Sequence, residues 1–342
     1  MGTPVEERRL TAEELAQAYY VTQAQHSRRT ADRVQALWRE LDRRDLTGSW
    51  ESFVGPRIVA AVTAGQLAAA AGADEYTAAV VAADGATSDP SGRIRPAAFA
   101  GVAADGRALE SLLYLPVITS KQALAAGLDD VEAMMRGLHQ LLRMAASEVA
   151  DAGRGATGTA ITANRTIRGY IRVVNPPACG RCIILAGLEY GWNAGFQRHP
   201  RCDCVHMPST LIARGRHHRG AFDPKAYFDS LSEREQARIF TQAGAQAIRD
   251  GASMTSVINA RRGMYTADAY GQRVRATRDS TTRRGSFYRQ ERRRAIQRGL
   301  IPNSGRGFRL VAPRLLPEEI YRLAGNDRGQ AIAMLRRFGY LT

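Results

Sequence analysis

Apolar positions along the first quarter of the chain recur at helical intervals. Leu15, Tyr19, Val34, Leu37, Trp38 and Leu41 fall on one face over residues 11 to 46, and Thr11 and Glu14 have the spacing of a capping box. One long helix is expected there, broken by Gly48. A second, alanine-rich helical region runs from about Trp50 to Ala71 and is interrupted by Gly72, and the Gly/Pro/Ser-dotted stretch from Ala83 to Gly106 reads as loop. Leu124, Leu128, Val131, Met135, Leu138, Leu142, Ala145 and Val149 then alternate in steps of four and three. That pattern predicts a helix from Ser120 to about Ala150 whose seam packs against another helix, in an intramolecular bundle or, alternatively, by self-association. The three glycines between Asp151 and Gly158 are expected to end it.

Tyr170 to Val174 is short and β-branched and is halted by Asn175-Pro176-Pro177, which makes it the strand candidate. Further on, Asp223-Pro224 suits a cap followed by proline in the first turn. Ser232 and Glu235 open a helix expected to reach Gly251, and a short helix ends at Gly263. Pro317 begins a helix that Gly325 closes, and Asp327 caps a last one ending near Gly339. The fold class is therefore mainly α with a small α+β centre: a helical bundle, a β element carrying a zinc knuckle, and a helical, basic C-terminal region. Three regions are expected, at 1–115, 116–212 and 213–342. No apolar run of membrane-spanning length stands out, and the start of the chain is polar, so neither a membrane segment nor export is expected.

All four cysteines fall in one segment, as Cys179-Gly-Arg-Cys182 and Cys202-Asp-Cys204, with His199 and His206 bracketing the second pair. Structural zinc takes about four thiolate or imidazole ligands, and a C-x2-C turn supplies two from one side. Gly180 would ease that turn, and an extended second half would put Cys202, Cys204 and His206 on one face. Arg181, Arg198 and Arg201 would favour thiolate. The candidates outnumber the coordination places. Cys179, Cys182 and Cys204 with either Cys202 or His199 form the preferred set, and a leftover histidine could orient a ligand. Disulfides are the competing reading, disfavoured for a chain that stays in a reducing compartment.

The segment Asn175-Pro-Pro-Ala-Cys-Gly-Arg-Cys-Ile-Ile-Leu-Ala-Gly187, followed by Arg198-His-Pro-Arg-Cys-Asp-Cys204, resembles the Mu F-like minor head protein family of tailed phages. The motif covers about 30 residues; with the preceding helices and strand, about 118 to 210 resembles the domain. The resemblance implies a low-copy virion component inside the capsid near the portal. It would work in head morphogenesis or travel with the DNA, and be made in the host cytoplasm during assembly. Portal and major capsid proteins and phage double-stranded DNA would be its partners.

Charge adds a second theme. The net charge is +15, and the tract from Arg261 to Arg314 holds 15 Arg against Asp268, Asp279 and Glu291, a net of +12. Arg283, Arg284, Arg292, Arg293 and Arg294, interleaved with Tyr265, Tyr270, Phe287 and Tyr288, are the candidate contacts to nucleic acid or to the portal. His217-His218 reads as a surface pair. No nucleophile elbow, phosphate-binding glycine loop or His-Glu-x-x-His helix is present, so the expected role is non-enzymatic. The alternative is a metal-dependent nuclease, or a head-maturation protease fused to a head-protein module.

Overall fold

The computed structural model describes residues 10–195, 202, 204–211 and 222–341. It is 58% helical and 10% strand, with two small three-stranded sheets among the described residues, which is the mainly α class with a small β part. The chain forms two compact units, one of residues 1–176 and 186–222 and the other of residues 177–185 and 223–342. The boundary expected at 115/116 falls inside a continuous helix, and that at 212/213 lies outside the described residues.

In the first unit, helix α1 (Ala12–Trp38) starts at the Thr11–Glu14 capping box and stops eight residues short of the expected end. Gly48 breaks nothing. It lies within α2 (Leu46–Ser49), which continues through a π-helical turn, Trp50–Val54, into α3 (Gly55–Ala71), with α4 (Ala73–Ala83) beyond Gly72. By length and composition the run Leu46–Ala83 passes for a membrane span, contrary to expectation. Its Val54, Ile58, Val62 and Ala69 are nonetheless buried in the main core with Trp38, Leu113, Leu141 and Val149.

The heptad-like seam divides between two helices. Helix α5 (Leu109–Ala125) ends at a turn in which Gly127 takes φ +84°, and α6 (Asp130–Ala163) restarts with the Asp129 carboxylate accepting from the Glu132 amide. Val131 and Met135 are consequently exposed, and the buried face of α6 runs through Leu138, Leu141, Ala145, Val149, Ala152 and Ala156. That face packs on α1, α3 and α5, so the bundle is intramolecular. The glycines expected to end this helix do not. A Cβ on Gly153 would lie 2.2 Å from Gln23 Oε1 and 3.2 Å from the Ala69 carbonyl, so glycine there permits close helix approach.

Strand β1 (Gly169–Val173) is central in the first sheet, between β2 (Glu189–Gly191) and β3 (Val205–Ser209), all antiparallel. Ile171, Val205 and Met207 close on Tyr19, Tyr20, Tyr76 and Val80 of α1 and α4. The Tyr19 and Tyr76 rings stack 3.9 Å apart, and Tyr76 donates to the His206 carbonyl at 3.0 Å.

The second unit holds α7 (Gly180–Ile184), α8 (Pro224–Ser230), α9 (Glu233–Phe240), α10 (Gln242–Arg249) and α11 (Met254–Ala260). The helix expected to run from Ser232 to Gly251 is broken at Thr241, which takes φ 69° and turns its hydroxyl to the Gly244 amide. A hairpin that the arginine tract concealed follows, β4 (Met264–Ala269) and β5 (Gln272–Thr277), joined at Tyr270-Gly271, both with positive φ. Helix α12 (Ser286–Gln297), the short strand β6 (Arg314–Leu315), α13 (Pro317–Ala324) and α14 (Arg328–Arg337) complete it.

Candidate metal centre

The second cysteine pair sits where the bundle meets the sheet of the first unit. Cys202 and Cys204, both buried, lead into β3. Their sulfurs are 3.3 Å apart, which places them on one side of the chain as the extended reading expects. Arg154, buried on α6, fixes the segment: its Nη1 donates to the Cys202 carbonyl at 2.5 Å and its Nη2 to Asp151 at 2.5 Å. Arg172, buried at the middle of β1, donates through Nη2 to the Cys202 sulfur at 3.4 Å. His206 follows on β3 opposite Arg172, and its ring packs 4.3 Å from that of Tyr170. A cavity of about 220 Å³ opens beside the pair, lined by Tyr19, Arg28, Arg154, Cys202, Cys204 and His206 among others.

The surroundings of the pair favour the neutral thiol at Cys204. With both thiols protonated, the hydrogen bond to Cys202 and then burial push the Cys204 thiol well above the ordinary range, against the pull of Arg172 and Arg154. Two sulfurs on one tetrahedral zinc lie about 3.8 Å apart, given a Zn–S bond of about 2.3 Å. Cys202 and Cys204 would need to part by about half an ångström to share an ion.

The first pair belongs to the second unit. Cys179 caps α7, and its sulfur accepts from the Cys182 amide at 3.4 Å. Cys179 is exposed and Cys182 buried, and all four cysteines are free thiols. Gly180 has a different reason from the one expected. A Cβ there would lie 2.6 Å from Ile258 Cδ1 and 3.3 Å from the Phe240 ring, so glycine admits α7 to the core of its unit. His199, Arg198, Arg201 and the His217-His218 pair lie outside the described residues. Among the described residues no three Cys, His, Asp or Glu side chains cluster as a metal site.

Sequence reasoning missed Arg154 and Arg172. A charged residue inside the apolar strand Tyr-Ile-Arg-Val-Val was the available signal for Arg172. Arg154 was hidden among glycines misread as a helix end.

The five arginines proposed as nucleic-acid or portal contacts separate in the structure. Arg283, Arg284 and Arg293 are exposed. Arg292 instead donates to the Ser304 carbonyl at 2.6 Å, and Arg294 pairs with Glu291 at 2.9 Å. Arg314, fully buried, binds Asp279 and the Phe338 carbonyl and stacks on Tyr340.

No curated protein and no solved structure matches the chain. The VG15 protein family matches residues 10–233, a span that takes in the bundle, the first sheet and both cysteine pairs, and that is consistent with a phage protein. The match covers well over half of the sequence, and the chain belongs to the VG15 protein family.

Proposed function

We propose that this chain is a minor head protein of a tailed phage, of the Mu F-like kind, acting in head morphogenesis beside the portal. The observation that carries the reading is the Asn175–Cys204 motif within the family-matched span. The role is non-enzymatic, with portal protein, major capsid protein and double-stranded DNA as partners and the capsid interior as the final location. Cys179, Cys182, Cys202 and Cys204, with His199, are the zinc donors in this proposal. The support is their spacing, the sulfur-to-amide bond at Cys179 and the guanidinium beside Cys202. Zinc there would be structural, and Arg154 and Arg172 would hold the Cys202–Cys204 segment that contributes donors to it.

Phage grown without this chain tests the reading. Heads that are few, aberrant or non-infectious, and that are restored by supplying the chain in trans, are the expected result. Normal yields of infectious particles in its absence would overturn it.

A further inference from the structure

The second unit carries its charge unevenly, and the structure shows why. Of the three acidic side chains in the arginine tract, Asp279 is engaged by buried Arg314 and Glu291 by Arg294. Asp268 lies on β4 opposite Arg273. Arg292 is tied to the backbone of the loop at 304–305. The charge that reaches solvent along α12 is therefore cationic. Ser286, Arg289, Arg293 and Gln297 form one exposed stripe along that helix, at intervals of three and four residues. Arg289 and Arg293 stand one turn apart, about 6 Å along the axis. Arg283 and Arg284, also exposed, continue the stripe in the turn before the helix.

The same helix turns its apolar side inward. Phe287 is fully buried and meets Phe338 with ring centroids 5.8 Å apart. No large apolar side chain stands in the stripe, so it lacks the aromatic or aliphatic anchor on which protein interfaces centre. Guanidinium groups match phosphate oxygens bidentately and need no such anchor. Tyr270, exposed at the hairpin tip with Arg337 5.9 Å from its ring centroid, extends the cationic, aromatic character of this unit.

We propose that the outward stripe of α12, Arg289 and Arg293 together with Arg283 and Arg284, docks on the phosphate backbone of double-stranded DNA without reading its sequence. The proposal rests on the phage reading only for the identity of the DNA. It narrows the five arginines singled out by sequence to three, and adds Arg289.

The test uses the full chain with all four arginines changed to Gln (R283Q, R284Q, R289Q, R293Q). Its control is a variant with four exposed arginines of the first unit changed to Gln (R29Q, R33Q, R43Q, R44Q). Binding to a random-sequence duplex is measured against salt. Each phosphate contact contributes about 0.9 to the slope of log K on log salt. The α12 variant should lose about three to four from that slope, and the control should keep nearly all of it. Equal losses in both variants would reduce the effect to net charge and overturn the assignment. So would an unchanged slope in the α12 variant, or capture of polyglutamate but not duplex DNA by the wild-type chain. Incorporation of each variant into particles is scored separately. A chain that enters particles with an unaltered salt slope contradicts only the DNA surface, whereas wild-type chain missing from particles contradicts the phage reading.

Discussion

Two glycines on α6, five residues apart, should respond to the same substitution with opposite sign. Changing Gly153 to Ala puts a methyl 2.2 Å from Gln23 Oε1 and 3.0 Å from its Cδ. The Gln23 amide must then move and release its 2.9 Å bond to the Ala69 carbonyl. Overpacking of this kind costs about 1–3 kcal/mol and the lost bond about 1 kcal/mol, while the better helix propensity of alanine returns about 1 kcal/mol. The net is a loss of about 2 kcal/mol. Gly158 has nothing within 4 Å of its would-be Cβ, so Gly158→Ala should gain about 0.5–1 kcal/mol. The protein's three tryptophans, Trp38, Trp50 and Trp192, all belong to the first unit, so their fluorescence reports its melting alone. For a unit of this size about 2–4 °C accompanies each kcal/mol. Gly153→Ala should therefore melt about 4–8 °C lower than the parent and Gly158→Ala about 1–4 °C higher. Shifts of the same sign in both variants would refute the account of α6 as a helix whose glycines serve close packing.

Other consequences follow from the same contacts. Burial raises the phenols of Tyr76 and Tyr19 above their ordinary value of 10.0, so their stabilisation is complete below that pH and is lost as pH climbs above it. The urea midpoint of the tryptophan signal should fall between pH 9 and pH 11, and fall less when both residues are Phe; identical pH profiles would contradict this. Arg314→Met leaves Asp279 and the Phe338 carbonyl without their buried partner, at a cost of about 3–5 kcal/mol. Amide exchange around residues 314–316 and 335–340 should accelerate, and unchanged protection would count against the assignment. Cys182→Ser and Cys204→Ser should each lower the zinc found by elemental analysis of the gel-filtered protein. A parent chain that carries no zinc would remove the metal proposal.

Local chemistry made much of this fold legible. The capping pairs at Thr11 and Ser232, Asp223 before Pro224, and Gly325 with Asp327 all mark true helix boundaries, because Thr11, Ser232, Asp223 and Asp327 satisfy end groups with their own side chains and Gly325 takes the positive φ at which α13 stops. The errors came where distant contacts decide. Gly153 and Gly180 resemble breakers or turn residues until Gln23 and Ile258 are seen against them. The apolar spacing from Leu124 to Val149 continues across the turn at Gly127, so one pattern concealed two helices. In the hairpin, Val274 and Ala276 face inward between exposed Arg273 and Arg275, an alternation the arginines obscured. At the cysteines, spacing disclosed the two pairs, but the arginines that position the second pair come from α6 and β1.

Quantitative mass spectrometry of purified, mature phage particles tests the central claim most directly. The account predicts that peptides of this chain are present at a few copies per particle and are retained after nuclease treatment and gradient banding. Their absence from particles, with the chain left entirely in the soluble fraction of the lysate, would contradict it.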